Sequence, residues 1–419
     1  MHLNMVGIDY RTAPVATREK VSIRPEKLGD ALSDLSRFVP HGVILSTCNR
    51  TEIYWTGDSP SSEPVNDFFL SFFRVAPDDL RQCIIAATDE KVVSHLFRTA
   101  AGLDSLIVGE YEVLGQVGRA LDSAEQAGMV DLHLRQLFQW AIRTGRRVRE
   151  ETFISRNAIS VSSVAVELAA GTIGGLEDCK VLVIGAGEAG RLVAKTARDR
   201  GAAKIAVTSR TKERAQKLAE ELGGEPFCME KLAGEMTSAN IVIACADAPH
   251  WVLTANQVSD VMERRPGQPL VIIDIAVPRN VDPRVAQIPN VFLYNIDELA
   301  TVAEENRQQR AGEMEKTEKI VAFETERFMA WWRTVGYRPV LSALMGRAEA
   351  IRSAHLDRTL RKLRPLSDEE KERLESMTRA IVNKILHDPL EWLKANGNGR
   401  GDNLAVVREM FRLPGDDAK

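Results

Sequence analysis

A short apolar run, Lys180-Val181-Leu182-Val183-Ile184, ends in Gly185-Ala186-Gly187-Glu188-Ala189-Gly190 and passes into a helical stretch through Arg200. A strand that turns on glycine into a helix is the entrance to a dinucleotide-binding sheet. Gly185 allows the tight turn, Gly187 lets backbone approach a pyrophosphate, and Gly190 lets the helix pack against the strand. The helix start then offers free N–H groups to the phosphates. Ala186, Glu188 and Ala189 complete the loop as candidate cofactor contacts. A purely structural turn is the alternative, and the strand-to-helix context counts against it.

Further apolar runs lie at 204–208, 240–246, 270–277 and 291–294, with helical or irregular segments between them. That alternation predicts a parallel, doubly wound sheet. About 20 residues after the glycines, an NAD site would carry an acidic residue for the ribose hydroxyls. This chain has Ser209-Arg210-Thr211-Lys212 instead. Hydroxyl and guanidinium groups suit a 2′-phosphate, so NADPH is the expected cofactor, with Ser209 and Arg210 as its contacts. A solvated helix start is the plainer reading of the same residues.

The 419 residues leave room for flanking domains. Residues 1–155 mix two strands, at 43–45 and 53–55, with helices at 25–38, 89–100, 115–127 and 132–151, an α+β pattern. Residues 156–297 are the Rossmann-type α/β region. From 298 to 419 the strands stop, and the chain reads as an all-α domain. Met314, Val321, Phe328 and Val335 recur every seven residues along a long helix, which Pro339 is expected to interrupt. A second helix is expected at 340–363. A third starts at Ser367, which forms a capping box with Glu370 and carries the stripe Leu374, Met377, Ile381, Ile385. Seams so thinly stocked are best buried against a second copy, so a homodimer is expected.

Five cysteines, odd in number and without a C-x-x-C, argue against a disulfide framework or a structural zinc, and no metal is expected. Residues 1–10 lack the pattern of a secretory signal, and no stretch is apolar enough to span a bilayer, so a cytoplasmic protein is expected. The net charge of −4 means that any RNA contact rests on local patches. Two such patches are Arg143, Arg146, Arg147 and Arg149, and Arg358, Arg361, Lys362 and Arg364; solvated helix faces are their ordinary explanation. Cys48 stands apart from the other cysteines. It lies in the polar turn Ser46-Thr47-Cys48-Asn49-Arg50-Thr51-Glu52, beside a cation that would favour a thiolate. On the residues alone, a nucleophile and a structural cysteine are equally good readings. His95 by itself reads as a core or surface histidine. Gly102 to Glu110 reads as a binding loop or simply a loop.

Taken together, these stretches resemble glutamyl-tRNA reductase over nearly the whole chain. The resemblance rests on Arg11-Thr12-Ala13-Pro14-Val15 with Arg18-Glu19-Lys20, on Ser46 to Glu52, and on His95 to Arg98 running into Ala101 to Glu110. Leu114-Gly115-Gln116-Val117, the glycine loop, Asp274 to Arg279, and Ile381-Val382-Asn383-Lys384 with Leu386-His387-Asp388-Pro389 complete it. It implies an N-terminal catalytic domain, an NADPH domain, and a C-terminal dimerisation domain joined by a spinal helix. It implies reduction of the glutamyl ester of tRNA(Glu) to glutamate-1-semialdehyde, the opening step of tetrapyrrole synthesis, with an aminomutase as a candidate partner for product transfer. Cys48 then matches the family nucleophile, which forms a thioester, and His95 matches a histidine important for activity. Arg50 would hold the substrate's carboxylate. Thr47, Asn49, Ser105, Glu110, Tyr111, Glu112 and Gln116 fall at substrate-contact positions. Two departures stand out: Tyr10 replaces a histidine, and Glu110-Tyr111-Glu112 replaces Glu-Pro-Gln. A non-catalytic NADP-binding scaffold, or a sirohaem-type dehydrogenase, would also explain the glycine loop. Neither would need Cys48 beside Arg50.

Overall fold

The computed structural model describes residues 1–80, 82–155, 161–299, 301, 311–396 and 401–413. It forms two compact units, Met1–Phe323 and Glu324–Lys419. The first unit opens with an antiparallel sheet of β1 (His2–Asp9), β2 (Gly42–Ser46), β3 (Arg50–Gly57) and β4 (Ile85–Thr88), in the order β2-β3-β1-β4. The sequence reading found the β2–β3 pair but neither of the other strands. β1 is buried along nearly its whole length, so it shows no alternation of apolar and polar residues. β4, Ile-Ala-Ala-Thr, is short and holds two alanines of low strand preference. Helices Glu90–Ala101, Glu112–Gln126 and Leu132–Glu151 lie within a few residues of expectation.

The second sheet is six-stranded and parallel: β5 (Lys180–Ile184), β6 (Lys204–Thr208), β7 (Glu225–Pro226), β8 (Ile241–Ala244), β9 (Leu270–Asp274) and β10 (Val291–Asn295). Its order, β10-β9-β8-β5-β6-β7, runs outward in both directions from β5. A ligand crevice forms at such a switch point, outside the carboxyl ends of the strands. Alternate strand residues feed two apolar layers. Val181, Val183, Ile241 and Ile243 lie in one, and Leu182, Ile184, Val242 and Ala244 in the other. Burial on both faces is why these strands read as continuous apolar runs. The first layer extends into the N-terminal region: Val15, Leu106 and Ile107 are buried in it, and Tyr10, Cys48 and Ala186 pack against it.

Helix Ala311–Leu360 continues through Pro339, contrary to the expected break. A proline forfeits one i→i−4 bond and disturbs the preceding turn, but the ladder on either side remains. Val321 and Phe328 of the seven-residue seam are buried. Helix Asp368–Asn396 begins with the predicted capping box: Ser367 N donates to Glu370 at 2.8 Å and Glu370 N to Ser367 Oγ at 3.2 Å. Val340, Leu344, Leu386, Val407 and Leu413 form a small core in the second unit. Met377, Ile381 and Ile385 stay more than half exposed along a groove of about 570 Å³. Among the described residues, no helix is long and apolar enough to cross a membrane.

Candidate active site

The glycine loop follows β5, at the switch point of the parallel sheet. Gly185 adopts φ +121°, and a Cβ there would lie 2.7 Å from the Cys245 backbone. A Cβ on Gly190 would lie 2.0 Å from the Gly185 carbonyl oxygen, so close packing of helix on strand demands both glycines. Gly187 differs: a Cβ there would meet nothing within 4 Å. Gly187 is also the N-cap of helix Glu188–Asp199, and no side chain caps that end. Open space beside uncapped N–H groups fits a pyrophosphate. Past β6, Ser209 is half-buried and accepts from Thr211 N at 3.4 Å, while Arg210 is exposed. The charge of Arg210 is felt by Asp247, which follows β8, so the two loops share one end of the sheet.

Cys48 sits in the turn between β2 and β3. Thr47 Oγ1 shapes that turn by accepting from Asn49 N at 3.1 Å and Arg50 N at 3.2 Å. Burial pushes the Cys48 thiol up to about 12, the charges of Glu110 and Glu112 push the same way, and Arg18 opposes them. The cation acting on the thiol is therefore Arg18 and not the adjacent Arg50. Strand alternation sends Arg50 inward, where it donates to Glu52 Oε1 at 2.9 Å, Thr99 Oγ1 at 2.9 Å and the Asp104 carbonyl at 2.6 Å. Burial also raises Glu110, to about 7, with Glu112 adding to the effect. Glu112 is itself raised by desolvation and by Glu188 of the glycine loop, which ties the thiol's acidic neighbours to the cofactor end of the sheet.

His95, on helix Glu90–Ala101, meets Glu52 Oε1 through Nε2 at 2.8 Å, and its Nδ1 lies 3.9 Å from Asp104. Glu52 is 1% exposed and also accepts from Tyr54 OH at 2.6 Å. Against the cost of burial, Arg50 and His95 hold its carboxyl down to about 2. Asp104 receives Arg98 at 3.1 Å and Arg11 at 3.1 Å. Buried charges persist when paired in this way. One expected substrate contact, Asn49, carries a buried atom without a hydrogen-bond partner, Oδ1, while Ser105 Oγ lies beside the Glu110 carboxyl and opposes the rise in its pKa. An unpartnered acceptor beside the Cys48 turn is open to a donor from a ligand. Tyr10, which stands where a histidine was expected, donates its hydroxyl to the Ser105 carbonyl at 3.3 Å. Tyr111 is exposed beneath the Arg149 guanidinium, and Gln116 is half-buried on the following helix.

Sequence reasoning passed over Glu52, Asp104, Tyr54 and Arg18. Glu52 alternates with Arg50 on β3 toward the same face, a signal that was available. Asp104 and Arg18 arrive from separate segments and gave none. The Arg143–Arg149 patch also divides. Arg149 points inward and donates to the Ala100 carbonyl at 2.9 Å and the Glu110 carbonyl at 3.0 Å, whereas Arg143 and Arg146 face outward.

A thiol-bearing α+β domain sharing an apolar layer with a dinucleotide-type sheet, followed by a helical domain, defines a three-domain oxidoreductase. Residues 6–152 match the glutamyl-tRNAGlu reductase N-terminal domain, residues 167–302 the shikimate/quinate 5-dehydrogenase family, and residues 316–413 the glutamyl-tRNAGlu reductase dimerisation domain. The chain is 40% identical to glutamyl-tRNA reductase of Rubrobacter xylanophilus, over 99% of this chain and 96% of that protein. It is 37% identical to the Bacillus subtilis enzyme of the same name, over 99% of this chain and 92% of that protein. The solved glutamyl-tRNA reductase of Methanopyrus kandleri is 33% identical, with a TM-score of 0.51 and 99% of each chain covered. The chain belongs to the glutamyl-tRNA reductase family.

Proposed function

We propose that this protein uses NADPH to reduce the glutamyl ester of tRNA(Glu) to glutamate-1-semialdehyde through a thioester on Cys48, the first step of tetrapyrrole synthesis. The carrying observation is the position of Cys48: it packs against the same apolar layer as Ala186 of the glycine loop. A nucleophile and a hydride source must meet at one acyl carbon, and a shared apolar layer supports that reading.

The Cys48 sulfur, as thiolate, bonds the acyl carbon. The ester C–O bond breaks, and the 3′-oxygen of the tRNA leaves with its electron pair and takes a proton. NADPH, when bound, supplies the hydride that converts the thioester to the aldehyde and returns the sulfur as thiolate. Residues 185–190 would hold its pyrophosphate, and Ser209 with Arg210 its 2′-phosphate. Thr47 shapes the nucleophile's turn. Asn49 presents its unpartnered Oδ1 to substrate, Ser105 meets it beside the Glu110 carboxyl, and Glu110 with Glu112 faces its α-ammonium. An ammonium seated there neutralises the charges that hold the thiol protonated. Tyr111 and Gln116 line the same approach. Arg50 has both terminal nitrogens engaged, so it contributes by fixing Glu52, which in turn holds His95, the candidate acid–base group.

Residues 1–155 serve as the catalytic domain, 156–297 as the NADPH domain and 298–419 as the dimerisation domain, with the apolar groove of the last closed by a second copy in a homodimer. The setting is cytoplasmic, and product transfer to an aminomutase is compatible with an aldehyde product. In a single turnover with radiolabelled glutamyl-tRNA and no NADPH, label should become covalently attached to Cys48 of the wild-type chain and not to Cys48→Ser. An unlabelled wild-type chain that still reduced the substrate would overturn the thioester.

A further inference from the structure

Arg18 follows the Pro14 turn and is 2% exposed. Its guanidinium is fixed on two sides. Nη1 donates to the Ala13 carbonyl and to Asp297 Oδ1, each at 2.9 Å, and Nε donates to the Cys48 carbonyl at 3.3 Å. Asp297 lies just past β10, and it also accepts Val15 N at 2.8 Å, so the cofactor sheet itself anchors this arginine beside the thiol's turn. The remaining nitrogen, Nη2, is buried and has no hydrogen-bond partner among the described residues. A buried cation with an idle N–H is costly, and beside the Cys48 turn that N–H is available to an acceptor on the substrate.

We infer that Arg18 is a catalytic residue whose Nη2 receives the substrate oxygen that becomes anionic when Cys48 adds to the acyl carbon. In that step the sulfur–carbon bond forms and the carbonyl π pair moves onto oxygen. The pair returns as the ester C–O bond breaks. A donor that is already fixed and desolvated stabilises this oxyanion without reorganising, which is the arrangement with the largest effect on acyl transfer. The same charge opposes the acidic pair around Cys48, so Arg18 also favours the thiolate that starts the reaction. The inference rests on the thioester reading proposed above.

The test compares the full-length wild type with Arg18→Met, Arg18→Lys and Asp297→Asn. Two rates are measured: single-turnover release of tRNA from glutamyl-tRNA, and alkylation of Cys48 by iodoacetamide in the absence of substrate. Loss of an oxyanion donor costs about 10²–10³ in the acylation rate. Arg18→Met should show that loss, with affinity for glutamyl-tRNA nearly unchanged and slower alkylation. Arg18→Lys should recover part of both rates, since it restores charge but not the fork. Asp297→Asn keeps the guanidinium and should lose far less. Near-wild-type acylation or unchanged alkylation in Arg18→Met would refute the assignment. So would an equal loss in Asp297→Asn, which would make Arg18 a docking contact only. If the wild type released no tRNA, the thioester reading would fail, and alkylation would still decide whether Arg18 acts on the thiol.

Discussion

Alkylation of substrate-free protein across pH reads the environment of Cys48 directly. The thiol is held at about 12 against an ordinary value of 9.0, first by burial and then by Glu110 and Glu112. Each pH unit is a factor of ten, so below pH 9 the thiolate population is about a thousandfold smaller than for an ordinary cysteine. A thiolate of higher pKa is intrinsically more nucleophilic, with a Brønsted coefficient of about 0.4–0.5, which returns roughly twentyfold. Iodoacetamide should therefore modify Cys48 about fiftyfold more slowly than a cysteine in a free peptide at pH 8. Peptide mapping by mass spectrometry follows each cysteine separately. The log rate for Cys48 should climb with unit slope without levelling off below pH 10. Replacing Glu110 and Glu112 together by glutamine should accelerate it, because two like charges are removed. A plateau below pH 9, or no response to the double replacement, would show that burial and the acidic pair do not control this thiol.

Other outcomes follow from single contacts. Arg210→Ala should cut the ratio of kcat/KM for NADPH over NADH by about tenfold or more, the worth of one hydrogen bond to a charged group; an unchanged ratio would place the 2′-phosphate elsewhere. Gly190→Ala drives a Cβ to 2.0 Å from the Gly185 carbonyl oxygen, so calorimetry should show the cofactor domain destabilised by about 1–3 kcal/mol, with NADPH binding weakened. Glu52→Ala leaves Arg50 buried without its carboxylate and should cost about 3–5 kcal/mol in urea unfolding. Because the Glu52 carboxyl is held down to about 2 in the folded state, its stabilisation is fully present above pH 4.5 and is lost as pH falls through 2. Acid titration of wild type and variant should converge in that window. Ile381→Glu with Ile385→Glu places charge on the exposed groove of the C-terminal unit and should yield monomers by sedimentation; a persistent dimer would move the interface elsewhere.

Local patterns determined much of this protein. The glycine loop and the apolar runs after it specify a parallel sheet, because strands buried on both faces must be apolar throughout and a strand-to-helix turn at a phosphate demands glycine. Ser367 with Glu370, and the Val321–Phe328 repeat, marked helices for the same reason: caps and seams are set by residues within a turn or two of each other. β1 and β4 escaped, since one lacks alternation and the other lacks strand-forming residues; their partner β3 holds the first and β1 the second. Cys48 could be located as a candidate nucleophile, but its electrostatics could not. The neighbouring residue Arg50 was the natural guess for its cation, yet β3 turns that side chain into Glu52, Thr99 and Asp104. The cation that counts, Arg18, lies 30 residues away in sequence and is aimed by Asp297, a further 279 residues on. Charge–charge interaction depends on distance through space and on how much water is excluded. Folding sets both quantities, and the order of residues along the chain does not.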